Sequence, residues 1–567
     1  MVGNPPYIRA ERAKYGEAVK DLYQEVWGQN GDTGLLFLWR ALKGNSRTQR
    51  PWVKKGGKLG MVVSGGYASS EAAARVWRLL WPGGEWSLRK LVWLEFAGKV
   101  WEANVIPMVL ILERTLPKPE DEIELWVSSA WPKEAPEPHE VARIAYRDFF
   151  DPKVNPRSSE DPLGYGEYLL PLLREGDPPL LRKLYPGGGN CVPLTEAMET
   201  QYTRHRKPQP FWWTYGVQRG GVEVTEDPQG DRPVPVLAGR GLAVAWPGEI
   251  AGYVDLTAVA RRPYGKLSLW GNEKWPKSYL VAGEIALSPT CGLVRSEKEP
   301  IAALNTLVVG VPREGLGEAV AAYLNSSLAR WYWAVRLRSG VLEGSSRAHI
   351  YPRTLEALPW PREPKEDLLG KLSALYGDLE ALARESRDNP SEWFLREVED
   401  RISRGDALPL SAPLFGLDFR KWQDQVPRID LSVEGAVLKG SLHAELDLKD
   451  PDLARFVHLL LGLLEAETVG SEDLQKLLVP RDYWELLREY EDRERAFSGV
   501  RERFTATLEA VDEVVFDLFG LTPDERAHVK ARLASFPLDR LRPRYPWEVG
   551  ETRPLRAYTE GRLRERS

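Results

Sequence analysis

Two cysteines, Cys191 and Cys291, are all that 567 residues contain, which excludes a disulfide framework and fits a reducing, cytoplasmic setting. Histidine is scarce too. The six are scattered, and none stands beside cysteine or glutamate at metal-ligand spacing, so no metal site is expected. No apolar run approaches the ~18 residues of a membrane span, and no signal-peptide pattern opens the sequence. An excess of positive charge is also missing. A formal net charge of −5 excludes a protein coated in cations, but it leaves room for a local basic stripe against nucleic acid. What remains, 43% hydrophobic and 28% charged residues, is the composition of a globular protein, and the length calls for several domains.

Along the chain, Leu35–Leu42 reads as a buried helix, with Asp32 and Thr33 as cap candidates. Lys58–Val63 is a compact apolar strand ending at Gly65-Gly66, and Ser69–Trp81 is an amphipathic helix closed by Pro82-Gly83-Gly84. Leu91–Phe96, Val105–Leu112 and Ile123–Val127 read as further strands. Such strands alternating with helices predict an α/β sheet covered on both faces. From Leu194 to Pro361 the strands shorten, and basic and aromatic residues interleave. One helix, Leu316–Val335, interrupts that stretch. Beyond Glu366 the pattern is mostly helical, with a hairpin over Leu431–Leu446 and a capping box at Thr522-Pro523-Asp524-Glu525.

Gly3–Tyr7 (GNPPY) is the most unusual stretch. Each proline lacks an N–H and fixes φ, and each forces its predecessor away from helix. The result is a stiff loop presenting an amide, bare carbonyls and an aromatic ring. Either it is a plain turn or it holds a substrate.

This loop resembles the (D/N/S)-P-P-(Y/F/W) loop of N6-adenine DNA methyltransferases of the gamma class. Gly56–Ser70 (GGKLGMVVSGGYASS) is similar to the strand and helix start that follow it in that family. Val100–Val105 (VWEANV) resembles an element near the end of the methyltransferase domain. Asn325–Trp333 and Ala357–Pro361 resemble the Taq-type target-recognition region, and Phe516–Glu525 resembles the helical tail of type IIG and related phage-defence methylases. The resemblance implies that Asn4 and Pro5 accept the two hydrogens of the adenine amine and aim its lone pair at the methyl donor, with Pro6 and Tyr7 completing the motif. The base must leave the duplex to be reached. Tyr7 then stacks on one face of it. Trp101 either packs on the other face or is a core tryptophan.

The implied fold is the C-terminal part of a class I, Rossmann-like methyltransferase sheet over residues 1–130. A connector over 131–193, a mixed α+β recognition domain over 194–362 and a mainly helical domain over 363–567 follow. Arg204, Arg206, Lys207, Arg261, Arg262 and Lys266 suit phosphate contacts with double-stranded DNA, or are solvated loop residues. Trp212 and Trp213 read as core.

The family binds S-adenosylmethionine through a Gly-rich loop and an acidic ribose ligand ahead of the NPPY loop, and neither is found here. Gly187-Gly188-Gly189 has no amphipathic helix or acidic follower behind it. The expectation is therefore a C-terminal portion that needs an N-terminal half or a separate subunit to bind the donor, in a bacterial or archaeal restriction–modification or phage-defence system. Two rivals remain: a specificity subunit that only recognises DNA, and a protein or RNA methyltransferase using the same loop.

Overall fold

The computed structural model describes residues 1–6, 17–26, 33–69, 71–97, 106–129, 140–155, 168–202, 210–217, 223–260, 276–296, 300–341, 347–387, 389–422, 426–427, 431–440, 444–466, 468–550 and 553–561. They fall into two compact units. One comprises Met1–Glu380 with Thr507–Tyr545, and the other Ala381–Ala506 with Pro546–Ser567. Among the described residues no helix is long and apolar enough to cross a membrane, and no acidic, histidine or cysteine cluster could hold a metal.

The first unit is built on a six-stranded mixed sheet. Its strands are β1 (Val2–Gly3), β2 (Lys58–Ser64), β3 (Ser87–Trp93), β4 (Pro107–Glu113), β5 (Glu122–Val127) and β6 (Glu140–Ala145), in spatial order β1-β2-β4-β3-β5-β6. β1 runs parallel to β2, and β3 parallel to β5; the other three pairings are antiparallel. The sheet thus takes its last strand from beyond residue 130. Leu59, Met61, Val63, Met108, Leu110 and Leu112 are buried on one face, and on the other Val62, Val109 and Ile111 are half-buried beside the buried Val92. Period-two alternation is visible in β2 and β4.

Helix α1 (Thr33–Leu42) packs on β2 with Leu35, Leu38, Trp39 and Leu42 buried. Helix α2 (Glu71–Trp77) follows β2 after a 3₁₀ turn, Gly65–Ser69. The buried indoles are anchored as well: Trp77 Nε1 donates to Tyr67 O and Trp86 Nε1 to Leu42 O, both at 2.9 Å. Large aromatic area is thereby buried without leaving either donor unpaired.

Farther along the unit, an antiparallel sheet orders Trp213–Tyr215, Leu307–Gly310, Ser278–Gly283 and Cys291–Arg295 around a core that includes Val236, Tyr279, Val281 and Val309. The helix expected over Leu316–Val335 is broken into α3 (Gly317–Leu324) and α4 (Ser327–Tyr332), followed by a π-helical stretch Trp333–Leu337. The break has a side-chain cause. Asn325 accepts from Cys291 N (3.0 Å) and donates to Cys291 O (2.8 Å), Ser326 Oγ caps α4, and Asp512 accepts from Ser327 N and Oγ at 2.6 Å each.

Asp512 is one reason why Thr507–Tyr545 belongs with this unit rather than with the remainder of the 363–567 stretch. A buried polar cluster is another. The carboxylate of Asp177 accepts from Arg174 N (2.7 Å), His528 Nε2 (2.8 Å), Trp331 Nε1 (3.2 Å) and Arg532 Nε (3.3 Å). The second unit packs the helices Pro390–Arg404 and Pro451–Leu463 around Phe394, Trp422, Phe456 and Leu460. The expected hairpin appears there as three short strands, Ser432–Glu434, Val437–Lys439 and Glu445–Asp447.

The capping box opens α5 (Pro523–Ala534) as the spacing predicts: Thr522 N donates to Glu525 Oε2 (2.7 Å), and Glu525 N to Thr522 Oγ1 (3.3 Å). Lys183 Nζ also reaches Glu525, at 2.6 Å. Burial opposes the carboxylate's charge, but these donors outweigh it and hold the Glu525 pKa below the usual value. A depressed acid stabilises the fold above its unfolded pKa, and that stability is lost as pH falls through the folded pKa. Glu525→Gln keeps an acceptor for Thr522 N but loses its charge toward Lys183 and the helix N-terminus, and should cost about 0.3–1 kcal/mol at pH 7. The gap to wild type in urea unfolding should close below a pH of about 4.

Candidate active site

Asn4-Pro5-Pro6 leaves the C-terminal end of β1. This strand is held beside β2 by Met1 N donating to Lys58 O and Gly60 N to Met1 O, both at 2.9 Å. Val2–Gly3 thus lies along Lys58–Val63. Pro5 is buried, while Asn4 and Pro6 are exposed. The Pro6 carbonyl accepts from the hydroxyl of Thr33 at 2.9 Å. The residue that starts α1 thus pins the loop from the other side.

Because β3 is parallel to β2, the C-terminal ends of β1, β2 and β3 lie at one end of the sheet. In open α/β sheets that is the end where ligands bind. There Gly65 N donates to Ile106 O (2.7 Å). A Cβ on Gly65 would stand 3.0 Å from the Trp93 ring and 3.1 Å from Ile106 O, so the close approach favours glycine.

Glu95, just past β3, has a fully buried side chain. It accepts from Trp93 Nε1 at 3.0 Å and from both terminal nitrogens of Arg338, at 2.5 and 2.6 Å. Arg338 precedes the strand Ser339–Val341, which runs against the turn Gly65–Ser69. A bidentate pair of this kind fixes orientation as well as distance. It holds the stretch Trp333–Val341 at the end of the sheet where Asn4 emerges.

Of the residues expected at the site, Asn4, Pro5 and Pro6 follow the C-terminal end of β1. Tyr7, Trp101, Arg204, Arg206, Lys207, Arg261, Arg262 and Lys266 lie outside the described residues. Trp213 is buried as expected and Trp212 is half-buried; the N–H groups of both donate to Glu356, whose pKa burial raises. Sequence reasoning missed the roles of Thr33 and of the Glu95–Arg338 pair. For Glu95 a signal existed: a lone carboxylate following an apolar strand must find a partner or stay in water.

No protein-family model matches the chain, and no curated protein matches it. Solved structures do. The type IIL restriction–modification enzyme MmeI in complex with DNA is 12% identical, over 68% of this chain and 49% of its own, with a TM-score of 0.38. A nuclease-deletion mutant of the type ISP restriction–modification enzyme LlaGI, in complex with a DNA substrate mimic, is 10% identical over 90% and 52%, with a TM-score of 0.33. The type IIG restriction endonuclease BpuSI is 10% identical over 66% and 48%, with a TM-score of 0.26. The chain spans about half the length of these structures, and likeness at this level does not define a family.

Proposed function

We propose that the chain belongs to a restriction–modification or phage-defence DNA methyltransferase and carries the loop that presents adenine N6 for methylation. The observation that carries this reading is the placement of Asn4-Pro5-Pro6. The stiff loop ends a strand at the ligand-binding end of a mixed sheet, with the Asn4 side chain exposed and the Pro6 carbonyl tied to Thr33.

The amine of adenine is a poor nucleophile, since its lone pair is delocalised into the ring. Asn4 Oδ1 and the Pro5 carbonyl accept its two hydrogens, which turns the lone pair out of conjugation and fixes its direction. Two prolines and the Thr33 hydroxyl keep these acceptors from rotating away. Tyr7, and Trp101 on the opposite face, serve the flipped base as stacking partners. The basic residues of the recognition region contact phosphates of double-stranded DNA.

S-adenosylmethionine is the donor this chemistry calls for. The Gly-rich run Gly187–Gly189 leads into the strand Cys191–Pro193 rather than into a helix, unlike a donor-binding loop. Asn4 and Pro5 border the donor, and its remaining contacts come from outside these residues. The chain alone should accordingly show negligible heat on calorimetric titration with S-adenosylmethionine; micromolar affinity would overturn that assignment.

The test of function is product analysis. The chain, combined with its donor-binding segment, should place label from methyl-labelled donor on adenine N6 of duplex DNA. Label on protein or RNA instead would reject the reading.

A further inference from the structure

We propose that the exposed connection between α1 and β2, residues 43–58, is a separate nucleic-acid contact that grips phosphates of duplex lying away from the target base. The proposal rests on the DNA-binding part of the proposed function and goes beyond its catalytic and recognition residues. Within these sixteen residues stand six cations and no carboxylate, in a chain whose net charge is −5. Lys43 is paired with Glu25 at 2.7 Å. Arg47, Arg50, Lys54, Lys55 and Lys58 are exposed, and their side chains hold no ion pair among the described residues. The field of Lys55 reaches Glu85, but that carboxylate is already bonded to Arg114 at 2.9 Å.

Uncompensated like charges repel, and a floppy loop would spread them apart. This loop is held. Asn45 Oδ1 accepts from Arg47 N (3.1 Å) and Thr48 N (2.8 Å), and Arg40 Nη1 donates to Thr48 Oγ1 and Arg50 O at 3.0 Å. Trp52 N donates to Ala41 O (3.2 Å), Gly56 N to Arg114 O (2.9 Å) and Arg114 Nη1 to Val53 O (2.9 Å). Gly44 has φ +105°, and a Cβ there would stand 2.5 Å from Arg50 N, so the fold-back requires glycine.

An aromatic platform lies among the cations. Trp52 is 43% exposed and sits 5.5 Å from the Arg40 guanidinium and 6.4 Å from the ring of Phe37, itself 42% exposed. A solubilising surface mixes charges of both signs and hides its large rings. Fixed cations of one sign around an exposed tryptophan suit a phosphate backbone with a ring or sugar beside it. The acidic protein alternative leaves the exposed aromatics unexplained.

Gly3 pairs with Met61, so Asn4 follows at the level of Val62, and the patch around Lys58 at the other end of β2 lies about 13 Å away at strand rise. That separation corresponds to about four base pairs along a duplex. The contacts would be positional and indifferent to sequence.

The test uses the full chain and fluorescence anisotropy on a duplex of about 30 bp, long enough to reach both ends of the sheet. Wild type is compared with a variant carrying Arg47→Gln, Arg50→Gln, Lys54→Gln, Lys55→Gln and Lys58→Gln, and separately with Trp52→Ala. Thermal melts check that each variant is folded. The slope of log K against log salt should fall by about two units or more in the glutamine variant, at about 0.9 for each phosphate that is no longer neutralised. Trp52→Ala should weaken binding with the slope unchanged. Equal slopes for wild type and the glutamine variant overturn this proposal while leaving DNA binding intact. A wild-type chain without salt-dependent binding overturns both. An affinity loss seen with polyglutamate but not with duplex reassigns the patch to an acidic protein and also overturns it.

Discussion

Glu95→Ala should destabilise the first unit by about 3–5 kcal/mol, the cost of leaving a buried charge without its partner. The side chains of Glu95 and Arg338 are 0% and 3% exposed, so water cannot take over the lost bonds. The guanidinium would keep its charge, since arginine does not deprotonate in proteins, and the Trp93 indole N–H would lose its acceptor at the same time. Attraction between the pair is not itself the source of the penalty. Replacing both residues with apolar side chains of similar volume, Glu95→Met with Arg338→Met, should recover most of the loss. Urea unfolding of the two single variants and the double variant forms a cycle that measures this coupling. A Glu95→Ala loss below about 1 kcal/mol, the range of exposed pairs, would show that the pair is open to solvent. The pair joins residues 243 apart in sequence, so its loss should also loosen the stretch Trp333–Val341 against the turn Gly65–Ser69. Hydrogen exchange would read that as faster exchange in both segments.

Asn4→Ala should lower methyl-transfer turnover by about 10²–10³-fold, or about 2.7–4 kcal/mol of barrier, with little change in the binding of DNA. The asymmetry follows from where Asn4 stands. It is exposed at the end of β1, so removing its amide leaves the sheet intact. In the proposed reaction the lost acceptor matters when the amine must be held with its lone pair directed. An effect confined to kcat therefore marks a transition-state interaction, and an effect confined to KM marks uniform binding. Asn4→Asp should retain more activity than Asn4→Ala, because a carboxylate oxygen accepts the same hydrogen. Unchanged turnover in Asn4→Ala would remove the residue from the reaction. Thr33→Val should fall between these cases, since it frees the Pro6 carbonyl without touching an acceptor of the base.

Where a signal is carried by neighbours in sequence, the sequence determined the outcome by itself. Two prolines suffice to stiffen Asn4–Pro6. Alternating apolar residues suffice to make Lys58–Ser64 a strand, and Thr522 with Glu525 suffices to open α5. The hairpin strands around Leu438 and Leu446 were legible for the same reason, as was the burial of Trp213.

Tertiary structure decided whatever depends on a distant partner. Helical periodicity runs unbroken through Leu316–Val335, yet the helix divides at Asn325, since the amide finds the Cys291 backbone 34 residues away. The Thr33 hydroxyl, a cap candidate within its own segment, is used by Pro6, 27 residues earlier. Glu95, Asp177 and Asp512 each became an anchor only once folding removed water and supplied donors from elsewhere in the chain. A local pattern reports backbone preference and facing. The partner of a buried polar group is chosen by the three-dimensional path of the chain, because the cost of leaving that group unpaired arises only after burial.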